Sequence, residues 1–384
     1  MNTKKSSLKN KLTSIVLTGL SLLPTTKLKA QDTNSADYNP ATSQRVIELD
    51  IANPLATSDS RAKANYSTNQ IINYALNESE NDSLPLRLAK TAGDLYGAYF
   101  TAYIFHEAGH EGADLKFGNG FRGWDLTPKI APTEKTLDTP DKKATYYSAG
   151  LNQNTLNSEK IWENGQRFGN FSDAGLLFNS LYESFYSPNQ NTRSNMNTGD
   201  DLESYCNALE EKRIHETPRG IKRKSLIANA LTFQNYESIY NLFNYAMNGH
   251  TNNKPTTFSV GNLEITPPIF NQYLTHNGSY LQGNVFINPQ KKNPIKISAG
   301  FTDDKIRAGA KVYDVKLSDK FNFSPYTYAD TNGGFSVGSD FGYKATKNIE
   351  LTARVEFNHK DILENDVKDE GNGLNATAGI RLRF

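Results

Sequence analysis

Polar and apolar residues alternate along the last third of the chain, and this pattern predicts a β-rich region over residues 255–384. In the run NIELTARVEFN, apolar Ile349, Leu351, Ala353, Val355 and Phe357 are separated by polar residues. Alternation with a period of two places successive side chains on opposite faces of a strand. Several such runs, separated by turn sequences such as NPQKKNP and DTNGG, predict eight or nine antiparallel strands.

The pattern before residue 250 has the period of a helix. In IKRKSLIANALTFQNYESIYNLFNYAMNG, apolar residues recur mostly three or four positions apart, at Leu226, Ile227, Ala230, Leu231, Ile239, Leu242, Phe243 and Ala246. Residues 67–250 are therefore predicted to form a mainly helical globular domain. The polar segment 31–66 before it is predicted to be a linker. The expected fold class is α+β with more than one domain.

The first 30 residues have the pattern of a secretory signal peptide. A basic segment, MNTKKSSLKNK, precedes the uncharged apolar run LTSIVLTGLSLL, and Ala30 is the expected residue before the cut. The apolar run is shorter than a membrane-spanning helix requires, which favours cleavage over the alternative of an uncleaved anchor.

Composition narrows the classes of function. The 42 Lys and Arg residues nearly balance the 41 Asp and Glu residues, so there is no support for a nucleic-acid partner. The single cysteine, Cys206, excludes an internal disulfide. A mean hydropathy of -0.63 excludes a polytopic helical membrane protein, but it is compatible with strands that are only half apolar.

The sequence HEAGH contains the chemistry that stands out most. Only six histidines are present, and His106 and His110 lie four residues apart, on one face of a predicted helix. Two imidazoles at this spacing can bind one zinc ion, and Glu107 between them can act as the base of a metal-assisted hydrolysis. The alternative is a buried histidine pair held by ordinary hydrogen bonds.

A third zinc ligand has to come from another segment. Asp114 is eight residues from His106, or about 12 Å along a helix axis, which suits a hydrogen-bond partner behind a histidine or a solvated residue. The sequence favours Glu159 on the next helix, with Asp173, Glu183, His215 and Glu237 as other candidates. Asn152, near the start of that helix, is predicted to cap it or to bind substrate backbone.

The string HEAGHEGADLKFG resembles the HExGHxxxAxxxG pattern of site-2-type zinc proteases, with Ala113 and Gly118 at the matching places. It is also similar to the HExGH helices of gluzincin-like peptidases. The resemblance implies a helical zincin-like domain, one zinc ion and a peptide or protein substrate. The chain lacks the set of transmembrane helices and the downstream Leu-Asp-Gly element of the site-2 family, so cleavage within the membrane is not implied.

The C-terminal sequence LNATAGIRLRF, which ends on Phe384, resembles the last strand of small bacterial outer-membrane β-barrels. This resemblance implies a barrel of about eight strands over residues 255–384, contact with outer-membrane lipid, and residence in the outer membrane after signal-peptide cleavage. A soluble β-domain in the periplasm is the alternative. The expected function is zinc-dependent peptide hydrolysis at the bacterial cell envelope. The other candidate is a non-catalytic outer-membrane barrel protein whose helical domain binds a partner or a structural metal.

Overall fold

The computed structural model describes residues 46–51, 57–76, 82–117, 137–169, 171–185, 201–250, 255–303, 305–361, 367 and 372–383. The predicted signal peptide, Gly118 and Phe384 lie outside these residues. Within them, seven helices precede most of the strands: α1 (Ser58–Leu76), α2 (Leu84–Lys116), α3 (Pro140–Phe168), α4 (Asp173–Phe185), α5 (Asp201–Glu211), α6 (Pro218–Leu231) and α7 (Phe233–Asn248).

The described strands form one antiparallel sheet of twelve. They are β1 (Val46–Asp50), β2 (Phe258–Val260), β3 (Leu263–Ile265), β4 (Ile269–Thr275), β5 (Gly278–Ile287), β6 (Ile295–Phe301), β7 (Ile306–Val312), β8 (Val315–Lys316), β9 (Phe321–Asp330), β10 (Phe335–Lys344), β11 (Ile349–His359) and β12 (Gly373–Arg383). The α+β organisation predicted from the change of period is confirmed.

The sheet is not closed, so the predicted eight-stranded barrel is wrong. The main strand order runs β1-β12-β11-β10-β9-β7-β6-β5, and β4 pairs with the far side of β5. Among the described residues, no ladder joins β4 to β1. Helices lie against these two edge strands instead: α1 packs on β1 and α6 packs on β4. Strand alternation reports which side chains share a face, and it carries no information on how the two edges of a sheet are covered.

The predicted linker 31–66 is also wrong where the structure describes it. Val46–Asp50 forms β1 and pairs with β12, in a register that joins Val46 to Arg383 and Asp50 to Gly379. Residues 58–66 already belong to α1. The charged residues Glu48 and Asp50 make this segment look like a solvated linker in the sequence. In β1 both side chains face inward and have charged partners: Arg381 Nε lies 2.6 Å from Glu48, and Lys63 Nζ lies 3.0 Å from Asp50.

Helix α3 lies at the centre of the molecule and is buried along most of its length. Thr139 caps its start by accepting a hydrogen bond from the Lys142 amide, and Gly169 ends it with a φ of 73°. The helix packs against α1, α2, α4, α5 and β4. Its polar side chains also bond strand backbone, as in the 2.7 Å contact from Asn152 Nδ2 to the Leu274 carbonyl. The helical and β parts of the chain therefore share one interior.

On β11 the inner face is polar and the outer face is apolar. On β11, Glu350, Glu356 and Asn358 are buried, whereas Leu351 and Phe357 are exposed. The buried charges are paired: Arg354 Nη2 lies 2.6 Å from Glu356 and Arg383 Nη2 lies 2.7 Å from Glu350. This distribution is the reverse of that in a water-soluble sheet, where the apolar face is buried.

In the described part of the chain, no helix combines the length and the apolar character needed to cross a membrane.

Candidate metal site

Helix α2 brings His106 and His110 together in the interior. Their positions four residues apart place both rings on the same face, with the Nε2 atoms 3.3 Å apart and the ring centroids 5.0 Å apart. Both side chains are buried, with 2% of His106 and 6% of His110 exposed. Two imidazole nitrogens therefore converge on one point within the protein.

The third member of this group is Asp201, the first residue of α5. Its Oδ2 atom lies 3.2 Å from His106 Nε2 and 3.1 Å from His110 Nε2. The amino terminus of a helix favours a carboxylate, since its free amide groups carry partial positive charge. His106, His110 and Asp201 form the group of His, Cys, Asp and Glu side chains that can hold a metal ion in the described part of the chain.

Hydrogen bonds behind the histidines fix the direction of both rings. Tyr146 offers its carbonyl oxygen to His110 Nδ1 at 2.9 Å, and Asn154 offers Oδ1 to His106 Nδ1 at 2.9 Å. The amide of Asn154 is oriented in turn, because its Nδ2 donates to the Ala102 carbonyl at 2.9 Å. Both Nδ1 atoms thus carry a proton, and the Nε2 atoms point towards Asp201. Metal-binding histidines are held in this way.

The spacing of the three atoms fits a tetrahedral ion. Ligands bound at about 2.0–2.1 Å with tetrahedral angles lie about 3.3 Å from one another. The three distances in the group are 3.1, 3.2 and 3.3 Å. Gly150 on α3 leaves room beside them, since a β-carbon at that position would lie 2.6 Å from the Nε2 atoms of His106 and His110. The residues present therefore fit a metal ion.

The electrostatics of the group are those of an ion pair. Burial disfavours the charged form of Asp201, but His110 and His106 outweigh it and hold the pKa of Asp201 well below its usual range. Burial likewise opposes a charge on His110, but Asp201, with smaller contributions from Glu107 and the Tyr146 carbonyl, raises the pKa of His110 to about 9. Negative charge therefore surrounds the two rings, which favours a cation at this position.

Glu107 lies on α2 between the two histidines and is half-buried. Burial, followed by the negative charge of Glu107, raises the pKa of both Tyr103 and Tyr182. The Tyr182 ring lies 4.9 Å from the His106 ring, centroid to centroid. The charge of Glu107 therefore acts on His110 and on Tyr182, which packs against His106.

The structure places Glu159 away from the histidines. Its carboxylate lies 2.6 Å from Lys296 Nζ on β6, and it also accepts hydrogen bonds from Asn271 and Tyr273 on β4. Burial would raise the pKa of Glu159, but Lys296 outweighs it and lowers that pKa. Glu159 is not the carboxylate of the metal-binding group, because it lies on the face of α3 that is turned to the sheet.

The other predicted residues are also placed. Asn152 is buried and pairs with the backbone of β4, with its Oδ1 accepting from the Leu274 amide at 2.7 Å. It therefore holds α3 to the sheet, and both ends of its amide are used there. Asp114 is fully buried one turn beyond His110, and its charge contributes to the raised pKa of Tyr146, after burial.

Asp201 was not among the sequence candidates. It lies 91 residues beyond His110, in a segment whose periodicity predicts a helix but gives no sign of an inward-facing carboxylate. The adjacent acidic pair Asp200 and Asp201, immediately before the apolar positions of that helix, is the signal that would have indicated it.

Comparison of the chain with models of protein families, with curated proteins and with solved structures finds no match.

Proposed function

We propose that the protein is a zinc-dependent hydrolase that cleaves peptide bonds at the bacterial cell envelope. The observation that carries this proposal is the convergence of His106, His110 and Asp201, whose ligand atoms have the spacing of a tetrahedral zinc site. Two nitrogens and one carboxylate oxygen are ligands that zinc accepts, whereas magnesium and calcium prefer oxygen ligands.

The protein residues then have distinct tasks. A zinc ion bound there would act as a Lewis acid towards a substrate carbonyl and would lower the pKa of water. His106, His110 and Asp201 hold the ion, and the Asn154 side chain and the Tyr146 carbonyl keep the rings aligned. Glu107 is assigned as the base that removes a proton from the attacking water, because it is the remaining carboxylate whose charge is felt at His110 and Tyr182.

The distribution of polarity supports the outer membrane as the location. On β10, β11 and β12, apolar side chains on the outer face are exposed and alternate with more buried, largely polar positions. The exposed residues include Phe335, Val337, Ile349, Leu351, Val355, Phe357 and Leu374. A sheet whose charged face is enclosed and whose apolar face is exposed suits a hydrocarbon surrounding. The alternative location is the periplasm.

The decisive experiment compares purified chains in detergent, loaded with zinc, on a library of fluorescence-quenched peptides. We expect wild type to bind about one zinc and to cleave a subset of peptides. Glu107→Gln should keep the metal and lose about 100-fold or more in rate, because a base and not a ligand has changed. Asp201→Ala should lose both the metal and the peptide cleavage.

Glu203→Gln is the matched control, since Glu203 is an exposed carboxylate on α5. It should behave as wild type in both measurements. If wild type and Glu107→Gln both bind zinc and neither cleaves peptides, the metal is structural and joins α2 to α5. Absence of zinc binding would leave the histidines and Asp201 as a buried ion pair.

A further inference from the structure

Helix α7 and the second half of α6 have the same inverted polarity as β11. On α7 the buried positions are largely polar, and they include Gln234, Asn235, Glu237, Ser238 and Asn241. The exposed large side chains of α7 are apolar or aromatic: Phe233, Tyr236, Ile239, Tyr240, Phe243 and Met247. A helix on the surface of a water-soluble protein has its apolar residues on the inner side and its polar residues outside.

Two of the inward-facing polar residues of α6 and α7, Asn229 and Asn235, are held by hydrogen bonds within the protein. Asn235 Nδ2 donates to Asn229 Oδ1 at 3.0 Å, and Ser180 Oγ donates to Asn235 Oδ1 at 3.1 Å. Asn229 Nδ2 also donates to the Ser180 carbonyl at 2.9 Å. The inverted arrangement is therefore built by specific hydrogen bonds to α4, and turning the helices over would break them.

The exposed face of α7 carries no charge. Its one charged residue, Glu237, is buried and accepts a hydrogen bond from Thr256 Oγ1 at 2.6 Å. Charge is concentrated at the start of α6, where Arg219, Lys222, Arg223 and Lys224 precede the exposed Leu226, Ile227 and Leu231. An uncharged apolar surface bordered by basic residues at one end matches the hydrocarbon and the anionic headgroups of a bilayer.

Helices α6 and α7 are also continuous with the sheet. Thr232, between the two helices, accepts a hydrogen bond from the Phe270 amide at 2.9 Å and donates to the Phe270 carbonyl at 3.3 Å. Phe270 belongs to β4, whose other edge pairs with β5. On its far side α7 contacts α2, where Arg87 Nη2 donates to the Met247 carbonyl at 2.8 Å. The outer surface of the sheet thus passes into the outer surface of α6 and α7.

We propose that the exposed face of α6 and α7 contacts the hydrocarbon region of a lipid bilayer containing anionic lipid, and that the helices complete the lipid-facing wall which the open sheet leaves unfinished. The occupant is lipid, because polar groups are enclosed and apolar groups exposed on both sides of the Thr232 junction. The inference goes beyond peptide hydrolysis and does not depend on it. It extends to the helices the lipid contact proposed for the sheet.

The test uses the full chain with Cys206→Ala, which removes the one native cysteine. Single cysteines replace Tyr236, Tyr240 or Phe243 and carry a nitroxide label in vesicles of phosphatidylethanolamine and phosphatidylglycerol. Val355 on the outer face of β11 supplies the sheet reference. Asn207, exposed and polar on α5, supplies the control expected in water. Accessibility to oxygen, which concentrates in lipid, is compared with accessibility to a water-soluble nickel complex.

We expect the three helix labels and the Val355 label to favour oxygen over nickel at least fivefold, and the Asn207 label to favour nickel. Helix labels that favour nickel while the Val355 label favours oxygen would overturn the proposal and restrict lipid contact to the sheet. If the helix labels and the Val355 label all favour nickel, lipid contact is overturned for the helices and for the sheet. Dipolar broadening between helix labels that disappears on dilution with unlabelled protein would assign the face to a second copy of the chain, and would also overturn it. None of these outcomes bears on peptide cleavage by the zinc-loaded chain.

Discussion

Gly150 faces His106 so closely that a β-carbon at residue 150 would lie 2.6 Å from the Nε2 atom of the histidine. The same distance would separate it from His110 Nε2. Helix α3 thus contributes to the metal-binding group by the absence of a side chain. A glycine in the middle of a helix costs up to about 1 kcal/mol relative to alanine, so this one has to be explained by what it lies against.

Gly150→Ala should reduce zinc affinity, because the added methyl group pushes against both ligand nitrogens. We expect a loss of about 10–100-fold, the range found when residues that orient ligands are changed. Titration of the metal-free chain with zinc measures it. Gly93→Ala is the control: it lies on α2, and its new methyl group would meet only the end of the Leu76 side chain at 3.2 Å. Equal zinc affinities for the two variants would contradict the close contact.

Glu159 and Lys296 should matter for stability and not for metal binding. Both are buried, and Lys296 also lies 3.1 Å from Glu163. Lys296→Met would leave two buried carboxylates without their shared cation, so it should approach the cost of about 3–5 kcal/mol seen when one partner of a buried pair is removed. Glu159→Gln should cost less, because Lys296 keeps Glu163.

Urea unfolding in detergent gives both free energies, and zinc titration should give wild-type affinity for both variants. A zinc affinity that falls in Glu159→Gln while the folded fraction is unchanged would return Glu159 to the list of ligands.

Glu183 should make the stability of the protein depend on pH. Burial, only partly offset by a hydrogen bond with Ser225, raises the pKa of Glu183 to about 8. Between the unfolded pKa near 4.5 and the folded pKa near 8, the folded state retains a proton that the unfolded state has released. The stabilisation is therefore complete below the unfolded value and is lost as pH rises through the folded value.

Over that interval the wild-type free energy of unfolding should fall by up to about 1.4 kcal/mol per pH unit relative to Glu183→Gln. Unfolding of both proteins at pH 5, 6, 7 and 8 measures the difference. Parallel stability curves would show that Glu183 titrates at its ordinary pKa.

Ala353 tests the environment of the outer sheet surface. Its side chain is exposed on β11, opposite Ala378 on β12 and Phe341 on β10. In a bilayer, Ala353→Arg should cost roughly 2–4 kcal/mol if the position lies near the midplane, whereas Ala353→Leu should be tolerated. Unfolding from phosphatidylcholine vesicles compares them. If arginine and leucine are equally tolerated, the outer face of β11 is in contact with water.

The sequence predicted the helices and strands better than it predicted the surroundings of each helix or sheet face. The histidine spacing indicates a helix with both rings on one face, and the structure has one, α2, in which His106 and His110 are buried. The periodicity of residues 221–249 predicts helices, and α6 and α7 are present. However, Leu226, Ile239 and Phe243, which would form the core of an ordinary helical domain, are exposed. Periodicity identifies an apolar face, and only the neighbouring elements decide whether that face is turned inward.

The candidate site divides in the same way. His106 and His110 are neighbours because helix geometry makes them so, and any sequence with this spacing would suggest it. Asp201 joins them through the packing of α5 against α3, which depends on contacts far apart in the chain. Glu159 has the inward direction that the helical spacing predicts, but the interior on that side of α3 contains Lys296. A buried carboxylate needs a cation, and the sequence alone does not distinguish a lysine from a metal.

The pairing of β1 with β12 has a consequence for how the chain reaches this structure. Glu48 and Arg381, whose side chains meet at 2.6 Å across that pair, are separated by 333 positions in the sequence. Closing so long a loop carries a large entropic cost before any contact compensates for it, so folding should be slow and strongly non-local. Until β1 arrives, one edge of β12 has unpaired backbone groups that can recruit strands from other molecules. Completion of the sheet must therefore wait for both ends of the described chain, and assembly should depend on factors that keep the unfolded protein dispersed in the meantime.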